Sequence, residues 1–116
     1  MQYMILIYEP EAAYANAGEA TLTEIVGKHM ALSAELREKG LLVSGDGLQG
    51  TDTATTVATG AGGVQTVHDG PFAETREQLG GYYLIDVPDL DAALTWAKRM
   101  PVVEGGKVEI RPVMIY

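Results

Sequence analysis

Two histidines are the only side chains in this sequence whose ordinary titration falls near neutral pH, and His29 lies on the apolar side of a helical repeat. A histidine there is either a packed core residue with both ring nitrogens satisfied, or a general acid–base whose second nitrogen is fixed by a partner. Asp69, at the start of Asp69-Gly70-Pro71-Phe72, is the natural partner, although Asp before Gly-Pro is also ordinary turn chemistry. Asp46, set between Gly45 and Gly47, carries the same ambiguity. Arg111 could clamp a carboxylate or phosphate with its planar fork, or simply pair with Glu77 or Glu109. Tyr82 and Tyr83 point to opposite faces of one strand, so one reaches a cleft and the other a second surface. Their order does not say which, and Tyr82 is carried forward with Arg111 and Asp46 as a candidate substrate contact.

Other chemistries find no support. Without cysteine there is no thiol nucleophile, disulfide or Cys-based zinc site. Two histidines with no His-x-x-x-His spacing give no metal set. Gly45, Gly47 and Gly50 spell the dinucleotide pattern, but Thr51–Val57 after them is strand-like where the pattern needs a helix. Gly60-Ala61-Gly62-Gly63 lacks the Lys-Ser/Thr of a phosphate loop. No cofactor is therefore expected. A net charge of −8 argues against nucleic acid and anionic membranes as partners. The opening run Tyr3–Tyr8 is too short to span a bilayer and lacks a basic start, so a cytoplasmic location is expected.

The positioning elements follow from periodicity. Tyr3–Tyr8 is a continuous apolar run, which reads as a strand covered on both faces. Glu9–Gly18 is a connection without a clear period. Thr21 and Glu24 form a capping box, and Leu22, Ile25, Val26, His29, Leu32, Ser33 and Leu36 then share one helical face as far as Gly40. Leu41–Val43 reads as a short strand, Thr53–Thr59 and Val64–His68 as a hairpin, and Gly80–Val87 as another two-faced strand. A second helix runs from Asp89 to Met100, where Pro101 stops it. The last strand, Lys107–Ile115, contains Pro112 and so belongs at an edge.

That order, over one domain spanning residues 1–116, is an α+β, ferredoxin-like split βαβ with an extra hairpin. Two helices cover one sheet face only. The apolar residues on the other face need a second cover, and a second copy of the same sheet supplies it at about 25 cal/mol per Å² buried. A homodimer is expected.

The segment Asp69-Gly70-Pro71-Phe72-Ala73-Glu74-Thr75-Arg76-Glu77 resembles the YCII-related family, specifically its DGPF-domain branch. Leu79–Tyr83, Trp96, Pro101, Val108–Val113 and the stretch His29-Met30 through Leu41–Leu48 fit the same pattern. The resemblance implies a dimeric α/β-barrel, with the helix-borne His29 lining a cleft. In the broader family that histidine pairs with an Asp immediately before the proline ending the second helix; here the position is Met100. The resulting expectation is a small-molecule enzyme transferring a proton on a small polar or aromatic substrate. His29 would act as acid or base, Asp69 would orient it, and Arg111 would hold an anionic group. The rival is a non-catalytic ligand-binding or regulatory module, which the family's frequent association with sigma-factor signalling suggests. The third reading is a structural dimer with a filled cleft.

Overall fold

Alternation along two central strands decides the layers of the computed structural model, which describes residues 1–116. Strand β1 (Gln2–Pro10) pairs antiparallel with β5 (Glu77–Asp86) on one side and with β6 (Lys107–Pro112) on the other, while β2 (Leu42–Gly47) completes the sheet beside β5. The order β2-β5-β1-β6 matches the expected ferredoxin-like α+β arrangement once the hairpin is set aside. Pro112 does lie on an edge strand, opposite Tyr3. The hairpin, β3 (Thr55–Thr59) and β4 (Gln65–Asp69), forms a two-stranded sheet of its own.

Tyr3, Ile5 and Ile7 of β1 and Tyr83 and Ile85 of β5 point to the helix side, where they are buried. Against them pack Leu32 and Leu36 of α2 (Glu19–Glu38), Ala93 and Ala97 of α3 (Leu90–Ala97), and Met100. Arg99 fastens the two helices to each other. Its guanidinium forks onto Glu35 at 2.6 and 2.7 Å and lies 4.8 Å over the Trp96 ring. Met4, Leu6 and Tyr8, with Tyr82 and Leu84, occupy the opposite face, where no helix of this chain lies.

Several local expectations change. The Glu9–Gly18 connection contains a short helix, α1 (Glu11–Asn16), so the chain has three helices. Helix α2 begins at Glu19 behind Gly18, which takes a positive φ of 83°, and no side chain caps it; the Thr21–Glu24 box lies inside the helix. Strand β2 continues through Asp46 to Gly47, because Asp46 and Gly47 pair with Tyr82 and Gly81. Asp89 caps α3 as expected, its carboxylate accepting from the Ala92 N–H at 2.9 Å, but the helix ends at Ala97. No helix is long and apolar enough to cross a membrane.

Candidate functional site

His29 reaches the sheet because it shares the inner side of α2 with Ile25, Leu32 and Leu36, which are buried. Its Nδ1 stands 2.8 Å from the Tyr83 hydroxyl, and the two rings stack at 5.9 Å between centroids. Ser33, one helical turn beyond His29, donates to the same hydroxyl at 3.4 Å. These three polar side chains meet beside the buried Ile25, Leu32 and Leu36.

They line a cleft of about 490 Å³ between α2 and the β2–β5 edge, together with Ile7, Glu9, Tyr14, Met30, Arg37 and the glycine-rich backbone of Gly45–Gly47 and Gly80–Gly81. Two of those glycines sit where a side chain would crowd the neighbouring backbone. A Cβ on Gly45 would stand 3.0 Å from the Tyr82 carbonyl oxygen, and one on Gly81 would stand 3.0 Å from that of Asp46. The missing side chains therefore let β2 lie close against β5 under the cleft.

Burial pushes the His29 pKa below its usual value. The Pro101 backbone carbonyl and the Glu9 carboxylate oppose that shift without overcoming it. Burial also raises the Tyr83 phenol, with the Ser33 hydrogen bond acting the other way. At neutral pH the pair is thus an uncharged imidazole beside an uncharged phenol, able to accept one proton and donate another. Glu9 is itself held in place, its Oε2 accepting from the Val103 N–H at 2.9 Å. That bond ties the end of β1 to the segment just after Pro101.

The candidates read from the sequence separate in space. Tyr83, rather than Tyr82, meets His29. Tyr82 projects to the open face, where its hydroxyl lies 3.5 Å from Asp46, and both residues border the cleft. Arg111 pairs across from Met4 on that open face and bonds Glu109 at 2.9 Å, while Glu77 takes Lys107 instead. One sheet thus stands between Arg111 and His29. Asp69 closes the β4 strand opposite Thr55, exposed, outside the cleft lining and without a contact to His29. Met100 is buried in the core cluster beneath the helices. Ser33 and Glu9 are partners that sequence reasoning did not assign, and Tyr83 is the member of the Tyr82–Tyr83 pair that it left undecided. Ser33, a polar residue four positions after His29 on an apolar stripe, was the available signal.

The model of the YCII-related domain matches residues 1–115. The chain belongs to the YCII-related family. An uncharacterised protein of Rhizobium meliloti (strain 1021) is 35% identical over 118 aligned positions, which take in 100% of this chain and 94% of that protein. The residue before Pro101 is Met100, and the Tyr83 phenol is the directly bonded side-chain partner of His29.

Proposed function

We propose that this YCII-related chain, of the DGPF branch, works as a cytoplasmic homodimer whose helix-side cleft binds a small polar or aromatic molecule and moves a proton on it. The 2.8 Å contact between His29 Nδ1 and the Tyr83 hydroxyl carries this reading. With the imidazole proton on Nε2, Nδ1 accepts from the phenol. A substrate acid seated on Tyr83 gives its proton to the phenol oxygen as the phenol proton moves to Nδ1, and reversal of the two transfers returns it. Glu9 steadies the imidazolium that forms. Asp46 and Tyr82 shape the mouth of the cleft. Arg37 is the one lysine or arginine lining the cleft, so an anionic group on the ligand would meet that guanidinium rather than Arg111.

The non-catalytic binding or regulatory reading takes the same contact as structural. The Tyr83 hydroxyl at 2.8 Å already engages one ring nitrogen of the half-buried imidazole, as in a satisfied core histidine. The two readings diverge on what happens to a bound molecule. A thermal-shift screen of small phenols and polar metabolites finds a binder, and mass spectrometry then follows whether it is consumed. Turnover that falls about 10²- to 10⁴-fold in His29→Ala, with sedimentation unchanged, is the expected result. A binder recovered intact from the unaltered protein, or turnover that survives His29→Ala, removes the catalytic reading.

A further inference from the structure

The β3–β4 hairpin stands apart from the main sheet and leaves its apolar side chains largely exposed. Val57 sits directly opposite Val67, so the two side chains share one hairpin face, yet they are 58% and 67% exposed. Phe72, just past the base of the hairpin, is 86% exposed. The base is firmly closed: Gly70 N–H donates to the Ala54 carbonyl and the Thr56 hydroxyl to that of Gly70, both at 2.7 Å. A rigid turn thus presents an apolar face with nothing beneath it. A lone two-stranded ribbon is marginal in water, so its order calls for a surface to lie on.

The whole chain shows how much surface is unpaid by its own folding. It exposes 7888 Å², whereas a folded monomer of this mass exposes about 6,100 Å². Its radius of gyration is 16.1 Å, against about 13.4 Å for a compact chain of this length. The excess of about 1,800 Å² is more than the ~800 Å² that each partner buries in a standard interface. Charge narrows the partner. Residues 48–75 carry Asp52, Asp69 and Glu74 and no Lys or Arg, while the open-face side of β6 carries Arg111, bonded only to its near neighbour Glu109, and Lys107, which Glu77 already takes.

We propose that the hairpin is an arm whose Val57–Val67 face packs on a second copy of this chain along its β6 edge, bringing Asp69 toward Arg111 of that copy. The arm rests on the homodimer reading and adds to it a specific reach. Sedimentation of the full chain and of the double variant Val57→Asp/Val67→Asp tests it, since neither valine belongs to the core. The arm predicts a dimer dissociation constant raised at least tenfold, with an unchanged circular dichroism spectrum. A double variant that dimerises like the unaltered chain overturns the arm and leaves the dimer standing. An unaltered chain that is monomeric at micromolar concentration overturns both. Because the chain has no cysteine, Asp69→Cys mixed with Arg111→Cys provides a second readout under mild oxidation. A covalent mixed dimer supports the arm, and its absence in a sample that sediments as a dimer overturns it.

Discussion

His29 lies between opposing influences whose balance has a measurable sign. Burial favours the neutral ring, and its folded pKa lies below the unfolded value of 6.5. Between those two values the unfolded chain binds more protons, so stability rises with pH through that window and is lost as pH falls toward the folded value. Glu11, Glu35 and Glu77 have lowered pKa values, so their contribution is present above 4.5 and is lost below it, outside the histidine window. A melting series between about pH 7.5 and pH 5.5 isolates the imidazole. The unaltered protein should lose about 2–4 °C more than His29→Gln, which cannot charge. Equal losses in the two proteins would mean that the ring is solvated and the cleft wetter than its geometry indicates. Tyr83→Phe tests the pair from the other side. It strips the hydrogen-bond partner from Nδ1 and should cost about 1–3 kcal/mol in denaturant unfolding, at the lower end because the ring is half-buried. Asp69 shows how far residue type and chain order reach: both place it in a turn signal, and the hairpin that carries it forms a sheet of its own, outside the lining of the His29 cleft in the same chain.

At the scale of elements, the long periodic pieces were legible and the glycine-rich joints were not. The apolar stripe of α2, the two-faced strands β1 and β5, the Asp89 cap and the edge position of Pro112 follow from patterns that tertiary packing leaves intact. Strand β2 ran past its apolar start because hydrogen bonding to β5 recruits Gly45–Gly47, which have no strand propensity of their own. The choice between Tyr82 and Tyr83 turned on which strand face the helices cover, and alternation is silent on that. The glycines of β2 give the element its own test. Gly45→Ala places a Cβ 3.0 Å from the Tyr82 carbonyl oxygen and 3.2 Å from the Tyr83 ring, whereas one at Gly47 meets nothing within 4 Å. Backbone cannot yield as a flexible side chain does, so Gly45→Ala should destabilise by about 1–3 kcal/mol and displace Tyr83 from His29. Gly47→Ala should be close to neutral, and the pair compared by denaturant midpoint and by the His29 ring proton signals decides the point. Similar effects at both glycines would deny the close approach of β2 to β5.

For the whole molecule the question is what a chain with 14 buried residues out of 116 does with the rest of its apolar surface. The helix side of the sheet is closed by α2 and α3, but Met4, Leu6, Tyr8, Tyr82 and Leu84 form a partly exposed layer on the other side, in the middle of the sheet rather than at its rim. Water against such a layer is costly, and a second sheet laid over it converts that cost into association. Folding and dimerisation are then linked, so the melting temperature should rise with protein concentration, as mass action requires for a state held by its partner. Leu6→Asp puts a charge at the centre of the layer without touching Ile5 or Ile7, which face the helices. It should leave a monomer whose melting temperature no longer depends on concentration. The cleft lies on the far side of the sheet from Leu6, so the His29–Tyr83 contact should persist in that monomer and be visible in its ring proton signals. If Leu6→Asp leaves sedimentation and its concentration dependence untouched, the open face is not where two copies meet. The excess surface would then have to be covered through the hairpin arm alone.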